Sequence, residues 1–207
     1  MLTLFHSPRT RSTRVVALLA AMGRLDDVDV RSVSIPRVDG SGGPDAGNPH
    51  PEGKVPLLVH DAVAVRESAA IMLYLTDLFA EAGGLGVPVG DPLRGRYLAW
   101  LAWYAGVLEP VMVLDAAGLS HPFLPATFRG VRDAVARLDE ALAEGPWLVA
   151  GRYTAADLLC ASPFLWFPDL DPGTERVREW VARCGAHPSR EAAERFDTTL
   201  EAGTLAA

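Results

Sequence analysis

Four hydroxyl side chains and three guanidinium groups crowd into residues 7–14, where Ser7, Thr10, Ser12 and Thr13 interleave with Arg9, Arg11 and Arg14. The stretch lies between a short apolar run, residues 2–5, and a helical pattern that starts at Val15, so it is a loop feeding a helix start. The N–H groups at a helix start attract negative charge, and hydroxyls add donors to them. Arginines at the same place oppose the helix macrodipole, which makes an anion among them favourable. Such a loop suits stabilisation of an anion by hydrogen bonds. It also suits a plain helix start, with Ser12 or Thr10 as the cap.

Two further spots present donors. In Lys54-Val55-Pro56-Leu57 a proline directly precedes a strand and drives Val55 towards extended geometry. In Arg66-Glu67-Ser68-Ala69 a helix opens after a hairpin; its first N–H groups attract a carboxylate, and the Ser68 hydroxyl adds a donor. Thr154-Ala155-Ala156-Asp157 is a capping box preceded by Tyr153 as a candidate hydrophobic staple, a structural device worth about 1 kcal/mol. The histidines at 6, 50, 60, 121 and 187 have no metal-ligand spacing and read as surface or packing residues. Cys160 and Cys184 sit in apolar helical patterns, not in a CxxC, and read as buried thiols in a reducing compartment.

The elements that must hold these residues follow from periodicity. Residues 2–5 predict a buried strand, the stretch after the Ser12 or Thr10 cap a helix with Val15, Leu18, Leu19 and Met22 in phase that ends before Gly23, and residues 27–33 a second strand. Residues 36–53 are rich in Gly, Pro, Asp and Asn and predict an irregular segment. Two strands follow around His60-Asp61-Ala62, then a helix from Glu67 with Ile71, Tyr74, Leu75 and Leu78 on one face. This order, βαβ then ββα, predicts a four-stranded mixed sheet covered by helices. The glycine-rich residues 80–91 form the linker, which divides the chain into residues 1–79 and a helical domain, residues 92–207.

In that second part, a long helix starts at Pro92. Leu98, Leu101, Ala102, Ala105 and Leu108 lie along one side and are expected to face the helical core. Trp100, Trp103, Tyr104 and Val107 lie opposite, either as the second buried face of a central helix or as a border of a pocket for an apolar ligand. Further helices are predicted at residues 127–144, 154–165, 175–184 and 188–196.

The chain has 207 residues, 49% hydrophobic and 22% charged, with a net charge of -7. The negative balance argues against wrapping nucleic acid. Apolar stretches are interrupted before the roughly 18 residues that would span a bilayer, and the N-terminus lacks a basic region followed by an apolar core. A cytoplasmic protein without membrane insertion is expected.

Three segments in order, LTLFHSPRTRSTRVVALLAAMG, NPHPEGKVPLLVHDAVAVRESAAIMLYL and GRYTAADLLCASPFLW, resemble the cytosolic glutathione S-transferases of bacterial type. The resemblance implies a thioredoxin-like N-terminal domain joined to an all-α C-terminal domain, glutathione as co-substrate without a metal, and a detoxifying homodimer. It implies a cis bond before Pro56, with the Val55 backbone pairing the cysteine of glutathione. It further implies that Ser68 and Glu67 receive the γ-glutamyl end, with Lys54 and Arg11 nearby, and that Trp103, Tyr104 and Val107 meet an apolar electrophile.

The chemistry implied is activation of the glutathione thiol. Lowering a thiol pKa from about 8.5 by about two units takes roughly 2.7 kcal/mol. A helix dipole supplies about 0.3 to 1 kcal/mol, so a hydroxyl donor to the sulfur is required. Aligning on Arg14-Val15 gives Thr10 that role, with Ser12 as cap; a loop shifted by a turn exchanges them. The loop holds no tyrosine, and Arg11 stands where cysteine-type relatives carry their thiol. The serine/threonine-loop type is therefore expected. Isomerisation, peroxide reduction or thioether cleavage by the same thiolate, or a non-catalytic binding and dimerisation module on the same fold, remain as alternatives.

Overall fold

The computed structural model describes residues 1–149, 151–167 and 170–205. Contacts divide the chain into two units: Met1–Gly83 together with the last helix, and Gly84–His187.

The first unit is built on a sheet of β1 (Leu2–His6), β2 (Asp29–Ser32), β3 (Leu57–His60) and β4 (Val63–Val65) in the order β2-β1-β3-β4. Strand β1 is parallel to β2 and antiparallel to β3, and β3 is antiparallel to β4. Side chains alternate across a strand. Phe5 accordingly joins Val33, Val55 and Leu57 in one buried cluster, while Leu4 and His6, both fully buried, point to the other face. Helix α1 (Thr13–Ala21) buries Val15, Leu18 and Leu19 and stops at Gly23, whose φ of +63° suits the left-handed residue that ends many helices. Helix α2 (Ser68–Leu78) buries Ile71 and Leu75, and the Tyr74 hydroxyl meets His60 Nδ1 at 2.5 Å; Leu78, expected on the same face, is exposed. The second strand is shorter than residues 27–33 because a 3₁₀ turn, Leu25–Asp27, takes its beginning.

The last helix, α9 (Pro188–Leu205), packs on α1 and completes this unit instead of the helical one. The assignment of residues 92–207 to one helical domain departs from this division at α9. Its buried stripe is Ser189, Ala193 and Asp197, small and polar side chains. A hydrophobic pattern therefore fades at Phe196 although the helix continues.

The second unit is helical. Helix α3 (Arg94–Trp103) runs through a π turn, Tyr104–Leu108, into α4 (Glu109–Ala116). Pro110 has no N–H for the carbonyl of Gly106 and its ring crowds that carbonyl; the π turn just before it lets the helix continue. The run Arg94–Ala116 is long and apolar enough to cross a membrane by length and composition, its most apolar 18 residues having a mean hydropathy of 1.4. In this fold it is a packing helix, with α3 against α7 (Ala155–Trp166) and α4 against α6 (Val131–Leu142).

The expected core face of this run is corrected. Its buried stripe is Tyr97, Trp100, Leu101, Tyr104 and Leu108, whereas Leu98, Ala102 and Ala105 are exposed. Steps of three and four residues from Tyr97 place the large aromatics on the stripe with Leu101 and Leu108, and small alanines carry little burial energy outside it.

The short α5 (Phe123–Thr127) was not expected; Arg129 at φ +66° and the extended Gly130 break the predicted 127–144 helix, so α6 begins at Val131. Thr174 caps α8 (Glu175–Gly185) through Val177 N–H and donates to Asp139 on α6 at 2.6 Å, which ties the two helices. In α7 every residue from Ala155 to Phe164 is buried. Asp157, wholly buried, accepts four hydrogen bonds: from Thr154 N–H at 3.0 Å, Thr154 hydroxyl at 2.9 Å, Leu148 N–H at 2.9 Å and Trp180 Nε1–H at 3.0 Å. Burial pushes its carboxyl above the ordinary range, and the four donors oppose that. Tyr153 stacks on His187 with ring centroids 4.2 Å apart.

Candidate functional site

Register brings three loops of the first unit to one edge of its sheet. Phe5 pairs with Leu57, so the end of β1 lies beside the start of β3; Leu58 pairs with Val65, so the end of β4 lies there too. The hydroxyl loop after His6, the Val55–Pro56 step and the Glu67–Ser68 helix start therefore converge. Strand β2 ends at the same edge, since His6 pairs with Ser32. From there Arg37 reaches back, donating to Ser7 Oγ at 3.2 Å and to Pro8 O at 2.7 Å.

Within the loop, the two candidate hydroxyls differ in access. Ser12 is fully buried, and Thr10 is half-buried. Ser12 occupies the cap position of α1, yet its hydroxyl makes no cap hydrogen bond, which corrects the expectation that it serves as the cap. The Ser12 oxygen lies 2.7 Å from His6 Nδ1, 2.8 Å from Thr10 Oγ1 and 3.2 Å from Ser7 O, and it accepts from Ser7 N–H at 3.1 Å. Thr10 Oγ1 lies 2.7 Å from Ser7 O and accepts from Ser12 N–H at 3.2 Å.

Behind Ser12 the network continues inward. His6 Nε2 meets Asp197 Oδ1 at 3.0 Å. The other carboxylate oxygen accepts from Arg9 N–H at 2.7 Å and from Thr13 Oγ1 at 2.8 Å. Burial of Asp197 works against its charge, but the hydrogen bonds from His6, Arg9 and Thr13 outweigh it and hold the carboxyl below its ordinary range. A carboxyl depressed in this way stabilises the fold fully above its unfolded pKa of about 3.9 and loses that contribution as the pH falls through the folded value. Stability measured against pH should accordingly fall less steeply below about pH 4 in Asp197→Asn than in the wild type. Asp, His and Ser have the composition of a hydrolase triad, but a Ser12 oxygen without solvent access cannot attack a substrate.

The remaining expected residues are placed as follows. The Val55–Pro56 bond is cis and both residues are buried. Lys54 is exposed and pairs with Glu52 at 2.8 Å, and its carbonyl accepts from Asn48. Arg11 is exposed on the loop. Glu67, the cap of α2, has φ +69° and ψ 124°, a strained conformation for a residue with a side chain, and Ser68 follows it as the first helical residue. Strain of this kind costs about 1–3 kcal/mol and gathers at ligand clamps. In the second unit Tyr104 is 1% exposed, whereas Trp103 and Val107 are half-buried. Trp103 meets Trp100 edge to face at 5.1 Å, and the Arg137 guanidinium lies 5.3 Å from its ring centre. Burial pushes the Cys184 thiol up, which keeps it protonated.

Three residues of this network were not singled out by sequence: His6, Arg37 and Asp197. A polar residue closing a buried strand was the available signal for His6. Arg37 lies in the irregular segment and Asp197 just past the legible end of α9, so neither carried one.

Residues 4–83 match the family model for the glutathione S-transferase N-terminal domain, and residues 121–188 that for the C-terminal domain. Disulfide-bond oxidoreductase YfcG of Escherichia coli is 26% identical over 77% of this chain and 77% of its own. Protein LigF of a Sphingobium species is 27% identical over 53% of this chain, which spans 57% of that relative. Among solved structures, a glutathione transferase from Methylococcus capsulatus has a TM-score of 0.77 at 25% identity, covering 96% of this chain and 100% of that one. A sphingomonad glutathione S-transferase complexed with glutathione has a TM-score of 0.75 at 23% identity, covering 95% and 98%.

Proposed function

The chain belongs to the glutathione S-transferase family, and from that premise we propose that it binds glutathione in its first unit and activates the thiol for attack on an apolar electrophile. The observation that carries this is the convergence of the hydroxyl loop, Val55–Pro56 and the strained Glu67–Ser68 helix start on one sheet edge. Thr10 is the hydroxyl that meets the sulfur, because Ser12 has no surface to offer. The Val55 backbone pairs with the cysteine of glutathione. Ser68 and the first N–H groups of α2 receive the γ-glutamyl carboxylate, with Glu67 shaping the turn. Lys54 and Arg11 add positive charge beside the tripeptide. Trp103 and Val107, both half-buried, offer apolar surface for an electrophile, whereas Tyr104 is buried. A cytoplasmic, homodimeric, detoxifying enzyme is the setting in keeping with the family.

A second use of the same thiolate, attack on a disulfide, is favoured by the relative named a disulfide-bond oxidoreductase. The two part on products: a thioether in the first case, and in the second a mixed disulfide with release of a thiolate, which a second glutathione converts to oxidised glutathione.

Ultraviolet difference spectroscopy of bound glutathione over a pH series tests the reading directly. Saturable binding at millimolar concentration or below, with thiolate formed under pH 8.5, is expected. No saturable change would remove glutathione from this protein. Ser68→Ala is expected to weaken binding by about 1–3 kcal/mol through loss of a donor to a charged group; an unchanged affinity would take Ser68 out of the site.

A further inference from the structure

We propose that His6 receives the proton of the glutathione thiol, through Thr10 and Ser12. This rests on the reading of Thr10 as the hydroxyl that meets the sulfur. An ionised carboxylate only accepts, so Asp197 at 3.0 Å takes the Nε2–H of His6 and leaves Nδ1 as a lone pair. Ser12 Oγ, 2.7 Å away, donates to that lone pair. With its own proton committed, the Ser12 oxygen accepts from Ser7 N–H at 3.1 Å, and the Thr10 hydroxyl proton is shared between Ser7 O at 2.7 Å and Ser12 Oγ at 2.8 Å. Both hydroxyl protons then point inward, and Thr10 turns a lone pair outward.

A thiol arriving at Thr10 finds an unbroken path. Its proton passes to Thr10 Oγ1, the former Thr10 proton to Ser12 Oγ, and the former Ser12 proton to His6 Nδ1. One S–H and two O–H bonds break while two O–H bonds and one N–H bond form, and no electrons change hands. The products are a thiolate that accepts a hydrogen bond from Thr10 and an imidazolium beside the Asp197 carboxylate.

The transfer separates charge, so each new ion needs a partner. Asp197 serves the imidazolium, held in place by Arg9 N–H and Thr13. The Thr10 hydroxyl and the start of α1 serve the thiolate. The other charges around the path are the Arg9 side chain, paired with Glu201 at 2.9 Å; Arg11, exposed on the same loop; Arg37 on Ser7 and Pro8; and Arg14, buried on α1. His6, Ser12 and Asp197 act through Thr10 and are positioning residues for it.

The test counts protons. Calorimetry of glutathione binding in buffers of different ionisation enthalpy gives the protons released, and ultraviolet absorbance of the same samples gives the thiolate formed. For the wild type, thiolate is expected with almost no proton released to the buffer, and nitrogen NMR is expected to move His6 from its single-proton form to imidazolium. One proton released per thiolate, with an unchanged His6 spectrum, overturns the relay and leaves the transferase reading standing. Binding without thiolate overturns both. In Asp197→Asn, thiolate at neutral pH is expected to fall about tenfold, one pKa unit, and the remainder to release its proton to the buffer; Asp197→Glu restores part of the retention. Wild-type behaviour in Asp197→Asn also overturns the relay.

Discussion

Thr10→Val is expected to return the thiol of bound glutathione towards its free pKa of about 8.5 and to cut turnover at neutral pH by roughly a hundredfold. Valine keeps the shape of threonine and removes the one half-buried hydroxyl that ends the chain of hydrogen bonds from Asp197. Glutathione affinity should hold within about twofold to threefold, because the contacts assigned to Val55 and Ser68 are untouched. Ser12→Ala is expected to move the pKa by less, since Thr10 keeps its own hydroxyl and its acceptor Ser7 O at 2.7 Å while losing its contact with Ser12. The measurement is a titration of bound thiolate in both variants beside the wild type. A shift in Ser12→Ala alone would exchange the roles of the two hydroxyls. No shift in either would transfer activation to backbone N–H groups or Arg11.

The second large effect belongs to Asp157, which no chemistry uses. Asp157→Ala leaves four donors without an acceptor in a place closed to water: Thr154 N–H, the Thr154 hydroxyl, Leu148 N–H and Trp180 Nε1–H. Each stranded donor costs about 1–3 kcal/mol less whatever relaxation recovers. A net loss of about 3–5 kcal/mol and a fall in melting temperature of roughly 10 °C are expected. Asp157→Asn should cost less than alanine, because one amide oxygen still accepts while the NH2 group faces donors. Urea denaturation of the three proteins checks the order. A loss below about 1 kcal/mol in Asp157→Ala would reduce the cluster to an ordinary helix cap.

Capping chemistry explains why the same residue was underestimated from sequence. Thr154 and Asp157 are legible as a box because the motif is local, four residues long. Trp180 and Leu148 join it only through packing, and no spacing announces them. The first unit shows the same division. Its strands, α1 and α2 could be read because apolar residues there follow the periods of two and 3.6, and their order fixes which loops share an edge. His6 was set aside for lacking metal spacing, although its partner is a carboxylate in the last helix, 191 positions away. In the long helix of the second unit the periodicity was ambiguous because it is apolar all round. Burial there follows the large aromatics Tyr97, Trp100 and Tyr104 rather than the Leu98 side.

The position of α9 has a consequence for how the protein is made. A ribosome delivers residues 1–83 first, and domains generally fold as they emerge. Here the sheet, α1 and α2 can assemble early, but the carboxylate that pairs with buried His6 is still unsynthesised until Asp197 is added. The first unit therefore waits, with its polar interior incomplete, while the whole helical unit is translated. A chain stopped before Pro188 holds every loop of the sheet edge and lacks the group that locks His6. In such a fragment Arg9 N–H and the Thr13 hydroxyl lose the acceptor that ties the loop to α9. The loop between β1 and α1 thus gains its full set of hydrogen bonds only once α9 has been synthesised.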